Sequence, residues 1–319
     1  MSIDLFRRDD FREIVEATAR QKGIANPAIV EKDYFVTEAL RIISQKHGHH
    51  TIFKGGTSLS KGWSLIERFS EDIDLYVKPA DTSNATGRLL KQIANDVSSY
   101  GGFEEPERIA SIDNIARSTR HRYDSAFEKG GAIQSSVLLE IGIQSGTYPT
   151  EERQIRSLLA EVLIEAGVKD LGKDCQAFPM QLLHYRRTVV EKMFALHDKV
   201  ERGVIDENKP IGTYARHYYD TYQLLQQQDV QEMFEQHDHI EICKSYRELT
   251  QRYFPAQRLP AHMNLNDSRA LFPNQNLARQ FSAEYKAQCS ALCFGQFPEF
   301  EDVLAEYEKI RRYFVDVTD

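Results

Sequence analysis

A chain of 319 residues with 41% hydrophobic content can bury a core in each of two domains, which excludes a disordered or fibrous protein. The formal net charge of −8 excludes a generally basic nucleic-acid coat but leaves room for a local basic groove. No apolar run reaches bilayer-spanning length, the start of the chain is charged, and Cys175, Cys243, Cys289 and Cys293 form no close-spaced framework. A reduced, cytoplasmic protein without membrane contact is therefore expected.

Residues 4–23 carry Leu5, Phe11, Ile14, Val15 and Ala19 at helical spacing, and Gly23 closes the helix. Asn26-Pro27 opens a second helix to about residue 46, with Ile29, Val36, Leu40 and Ile43 as its apolar line and Glu31-Lys32-Asp33 as a solvated charged face. Residues 51–54 form a short strand running into Gly55-Gly56, followed by a helix over about 57–66 and a strand carrying Asp72 and Asp74. A helix over about 85–100 ends at Gly101-Gly102. In the less readable stretch 103–130, a strand is expected only at 117–123, with Arg117, Arg120, His121 and Arg122 as the densest basic run. That run is either a phosphate contact or a charged edge strand.

Residues 135–144 read as the clearest strand, with Glu140 as its anomaly. A carboxylate inside an apolar strand needs a cation, a metal or a cleft, unless that side of the strand faces solvent. A helix over about 151–166 and a short strand near 175–178 lead to Pro179, the expected domain boundary. Beyond it come helices over 181–202, 214–228, 230–254, 275–292 and 298–315, with an irregular connection over 255–276. The last helix carries Phe300, Val303, Leu304, Tyr307, Ile310 and Phe314 as a core stripe. The fold class is thus α+β, with strands and helices over residues 1–179 and helices alone over 180–319.

The chemistry concentrates between Phe53 and Val77. On a strand, Asp72 and Asp74 fall on one face and Ile73 and Leu75 on the other. Two close carboxylates call for a divalent cation or a shifted pKa, unless they only mark a polar strand end. The Gly55–Gly62 stretch fails as a P-loop, because Lys61 lies between Ser60 and Gly62 rather than between glycine and Ser or Thr. Tyr76 at the next ligand position, with no glycine after it, excludes a calcium loop. What remains is a strand, a glycine turn, a helix start and an Asp-x-Asp strand. The glycines admit a phosphate to the backbone, Ser58 can donate to it, and the carboxylates can hold Mg²⁺.

The glycine turn followed by Asp-x-Asp resembles the nucleotidyltransferase superfold that includes DNA polymerase β and the CCA-adding enzymes. A fuller set of motifs comprises Val30-Glu-Lys-Asp-Tyr-Phe-Val-Thr37, Phe53-Lys-Gly-Gly-Thr-Ser-Leu-Ser-Lys61, Glu67-Arg-Phe-Ser-Glu-Asp-Ile-Asp-Leu75, Glu191-Lys-Met-Phe-Ala-Leu196 and Arg216-His-Tyr-Tyr-Asp220. This set resembles the AbiEii/AbiGii nucleotidyltransferase toxins of bacterial toxin–antitoxin and phage-defence systems. The resemblance implies that residues 1–179 form a nucleotidyltransferase-like mixed sheet with helices and 180–319 a helical domain that contributes to the site. It assigns Asp72, Asp74, Lys192 and Asp220 to catalysis, and Gly56, Thr57, Ser58, Lys61 and Arg216 to nucleotide binding. It further implies Mg²⁺, or alternatively Mn²⁺, on Asp72 and Asp74, with Glu140 as the third carboxylate and Asp220 completing the site from the helical domain.

The expected reaction is transfer of a nucleoside monophosphate from an NTP, releasing pyrophosphate. Relatives imply an RNA acceptor, first a tRNA 3′ end, a block on translation, and an antitoxin encoded by a neighbouring gene. The basic residues near Arg117 and Arg186-Arg187 are the expected RNA contacts. The alternatives are modification of a protein hydroxyl or small molecule on the same fold, and a non-catalytic nucleotide- or RNA-binding module.

Overall fold

The computed structural model describes residues 4–127, 133–169, 171–205 and 210–315. The chain divides into two compact units, one of Met1–Ser64 with Phe69–Leu183 and one of Leu65–Arg68 with His184–Asp319.

The first unit begins with α1 (Phe11–Gln21) and α2 (Pro27–His47), then β1 (Thr51–Lys54), α3 (Gly55–Lys61), β2 (Asp72–Val77) and α4 (Ser83–Val97). It continues through β3 (Glu107–Ile112), β4 (Ala116–Arg122), β5 (Ser136–Gly142), β6 (Thr150–Ile155), α5 (Leu158–Glu165) and β7 (Phe178–Leu183). α2 starts where the sequence places it: Asn26 accepts the Ala28 amide, and Pro27 occupies a position whose N–H has no helical partner. The strands form one mixed sheet in the order β3-β4-β5-β2-β1-β7-β6. α2 packs across β1, β2, β5 and β7, while α4 packs on β4 and β5. Phe35 of α2 stacks on Tyr123 at 3.9 Å between ring centroids.

The charged run on α2 is not a solvated face. Glu31 and Lys32 are buried. Glu31 accepts from Ser125 Oγ at 2.5 Å and from the Ala126 amide at 2.7 Å. Lys32 pairs with Glu71, and Asp33 pairs with Lys61.

The helix expected at 151–166 is instead β6 followed by α5. Ser157 divides them by accepting the Ala160 amide at 3.2 Å, an N-cap that delays the start of α5 to Leu158. The polar run before it pairs with β7 as the sheet's edge. Pro179 lies inside β7, opposite Gln154, near a strand end where a missing N–H is tolerated. β3 was not expected: it is exposed throughout, so it lacks the buried alternation that marks a strand in sequence.

The second unit is built from α6 (Tyr185–Ile205), α7 (Arg216–Leu225), α8 (Gln228–Glu235), α9 (His239–Tyr253), α10 (Gln275–Leu292) and α11 (Phe300–Arg311). The single helix expected over 230–254 is broken at His237, whose φ of 64° is left-handed. Tyr218 of α7 meets Phe300 of α11 edge-on at 5.0 Å, and Val303, Tyr307 and Ile310 are buried as the stripe predicts.

Candidate functional site

Two groups of polar side chains stand out, one in each unit. In the sheet unit, the chain passes from β1 into α3 through Gly55, whose φ is +78°. A Cβ there would lie 2.1 Å from Asp74 Oδ2, so the glycine gives the Asp74 carboxylate its place against the backbone. Thr57, buried, donates to the Asp72 carbonyl at 2.5 Å and lies 3.0 Å from Ser70 Oγ, which fastens α3 to the start of β2. Ser58 is fully buried and donates to the Gly55 carbonyl at 3.0 Å. Lys61 pairs with Asp33, whose other oxygen accepts the Leu158 amide at 2.8 Å.

The sheet register brings the carboxylates together. Asp74 lies opposite Glu140 on parallel β5, with Asp72 opposite Leu138. Residues in register share a face, so Asp72, Asp74 and Glu140 stand on one side while Ile73, Leu75, Leu139 and Ile141 are buried on the other. Ser118 of β4, opposite Glu140, donates to its Oε1 at 3.3 Å.

The donor chemistry fits a hard divalent cation: all three side chains offer carboxylate oxygens, and they are at least partly exposed. Among the described residues, no three His, Cys, Asp or Glu side chains are already drawn into a ligand cluster. The shared feature is the face.

In the helical unit, the polar group is buried and compact. Arg68 donates to both oxygens of Asp220, Nε to Oδ1 at 2.6 Å and Nη2 to Oδ2 at 2.7 Å. Lys192 of α6 lies 2.8 Å from Asp220 Oδ2 and donates to His217 Nδ1 at 3.2 Å. Segment 65–68 is further held by the Glu67 amide donating to Tyr219 Oη at 3.0 Å and by a bridge between Arg68 and Cys293.

Burial pushes the Asp220 carboxyl up, but Arg68 and Lys192 overcome it and hold the pKa well below the usual range. Burial lowers the Lys192 pKa despite Asp220, and lowers that of His217 to about 3, with Lys192 acting in the same sense. Asp220 is therefore an anion compensated by two cations, and His217 is a neutral acceptor. Arg216 opens α7 and is partly buried.

The expected residues thus separate into the carboxylate face with Gly56, Thr57, Ser58 and Lys61 nearby in sequence, and the Lys192–Asp220 pair with Arg216 on the same helix as Asp220. Arg68 and Lys54 stand inside the sequence motifs but had no expected role. The signal for Arg68 was a lone cation between Ile66 and Phe69; for Lys54 it was a charge ending an otherwise buried strand.

The chain is a nucleotidyltransferase by family, and its mixed sheet carries a glycine turn leading to an Asp-x-Asp strand beside a strand with a third carboxylate. The whole chain is similar in fold to MenT4, a nucleotidyltransferase toxin from Mycobacterium tuberculosis H37Rv, with a TM-score of 0.51 at 13% identity, covering 96% of this chain and 99% of that one. The family model described as nucleotidyl transferase AbiEii toxin, type IV toxin–antitoxin system, matches residues 39–306, and the chain belongs to that family. No curated protein matches it. Among the described residues, no helix is long and apolar enough to cross a membrane.

Proposed function

We propose that this toxin transfers a nucleoside monophosphate from an NTP to the 3′ end of an RNA, tRNA first, and that the blocked acceptor end halts translation. The carrying observation is the row of Asp72, Asp74 and Glu140 on one sheet face beside the Gly55 turn. These three residues would hold Mg²⁺ or Mn²⁺, which when bound supplies charge neutralisation at the phosphates.

The backbone at Gly56 receives the phosphate chain. Thr57, Ser58 and Lys61 act on the nucleotide by fixing the turn, because their polar ends engage Asp72, Gly55 and Asp33. Lys192, held by Asp220, and Arg216 supply positive charge to the triphosphate. The acceptor hydroxyl oxygen forms a bond to the α-phosphorus, the bond to pyrophosphate breaks, and the hydroxyl proton is released.

Alternation along β4 supports an RNA approach over Arg120 and Arg122, which share a face with Ser118 and Glu140, rather than over Arg117, which points the other way. Arg187 is buried against Glu191 at 2.7 Å, which leaves Arg186 as the accessible member of that pair. An antitoxin from the neighbouring gene completes the system.

The test is incubation of purified protein with labelled NTPs and total RNA, followed by sequencing of RNA 3′ ends. The expected result is label on RNA, reduced about 10²-fold or more in an Asp72→Ala/Asp74→Ala variant. Label on protein that survives nuclease would move the acceptor to a protein hydroxyl. No transfer by the wild type, or equal transfer by the variant, would overturn the proposal.

A further inference from the structure

Lys54 is the last residue of β1 and lies directly opposite Asp74 in antiparallel register. Opposed residues of an antiparallel pair share a face, so one row runs across the sheet as Lys54, Asp74, Glu140 and Ser118. The alternate residue Phe53 is fully buried, while Lys54 is only partly buried. Two other lysines of this unit, buried Lys32 and part-buried Lys61, are engaged by Glu71 and Asp33. Among the described residues, Lys54 makes no ion pair, although a carboxylate stands across the strand from it.

A lysine beside a cation-binding face is unfavourable unless a second anion enters. Its long stem lets the ammonium reach beyond its own strand while remaining on that face. The flanking geometry fits this: Gly55, the next residue, draws the Asp74 carboxylate over the turn. We infer that Lys54 is a direct contact to the phosphate chain of the bound NTP, placed in the carboxylate row to receive the anion that arrives with the metal. The inference rests on the nucleotidyltransferase site proposed above and adds a ligand-touching residue to it.

The test measures binding of non-hydrolysable NTP analogues in Mg²⁺, and of Mn²⁺ alone, to the wild-type full chain and to Lys54→Met and Lys54→Arg variants. Lys54→Met is expected to weaken analogue binding about 10- to 100-fold, the range of a charge-assisted hydrogen bond, with Lys54→Arg recovering most of it. Mn²⁺ affinity of the nucleotide-free protein is expected to stay the same or rise. If Lys54 only balances the carboxylates, Lys54→Met will leave analogue binding unchanged, or Mn²⁺ and analogue affinities will fall together; either result overturns the inference. A wild-type protein that binds no analogue at all overturns the underlying site as well. Melting temperatures within a few degrees of wild type establish that both variants fold.

Discussion

At the scale of single residues, the Asp220 cluster bears on folding as well as on the catalytic role proposed for it. Its carboxylate is fully buried and satisfied by Arg68 and Lys192. Removing one member of a buried pair leaves the other uncompensated, at a cost of about 3–5 kcal/mol. The two substitutions that address catalysis should therefore differ in stability. Asp220→Asn strands two buried cations and is expected to lower the urea midpoint by the equivalent of that cost. Lys192→Met leaves Asp220 bound bidentately by Arg68, and its loss should be about half as large or less. Urea denaturation of both variants beside the label-transfer assay separates the effects. Inactive Lys192→Met with a near-native midpoint places the lysine in the chemistry, whereas equal midpoints would refute the idea that Arg68 alone compensates the buried Asp220.

At the scale of elements, the junction between β1 and α3 decides where the carboxylates can sit. A methyl group at position 55 meets Asp74 Oδ2 at 2.1 Å, and a φ of +78° is strained for any L side chain. Gly55→Ala should therefore cost about 1–2 kcal/mol in stability. Its effect on activity should be larger, a loss of about 10²-fold, because a displacement of roughly 1 Å at a reacting site has that effect. Thermal melting and label transfer on this variant check both numbers. A variant with full activity would show that Asp74 can move without consequence.

This junction was also the most readable part of the sequence. Period-two alternation put Asp72 and Asp74 on one face, and the register with β5 brings Glu140 to that face. The elements that escaped were those whose stabilisation is non-local. β3 has no buried side, and β6 is a polar edge whose helix-favouring glutamates are overridden by pairing with β7. Arg68 could not be assigned because its partner lies 152 positions away. The apparent solvated face of Glu31 and Lys32 became buried because Ser125, Ala126 and Glu71 supply partners that no local pattern reveals.

At the scale of the whole chain, buried titratable groups shape the response to acid. His121, fully buried on β4 with Nε2 2.9 Å from Thr119 Oγ1, has its pKa pushed down by burial to about 4. His217 is held at about 3, and burial also lowers His197 and His239. In the unfolded chain each titrates near 6.5. Between that value and the folded pKa the unfolded state binds the proton and the folded state does not, so stability falls as pH falls.

For His121 alone the loss from about pH 6.5 to about pH 4 is about 3 kcal/mol. Two competing effects have the opposite sign: burial raises the Glu38 carboxyl to about 8, so the folded state takes up that proton before the unfolded chain does and gains stability as pH falls, and lowering the pH towards the pI of about 5.7 reduces the self-repulsion of a −8 chain. That repulsion is spread over the surface and screened within about 8 Å at physiological salt, whereas each imidazole is charged at a buried site where solvent cannot compensate it. The histidine contribution is therefore read as a difference between variants: the urea midpoint of His121→Gln is expected to gain on that of the wild type from about pH 7 to about pH 4.5. His121→Gln should flatten the slope of the transition that reports the sheet unit, and His217→Gln that of the helical unit. Slopes unchanged in both variants would show that the buried imidazoles do not shape the acid limb.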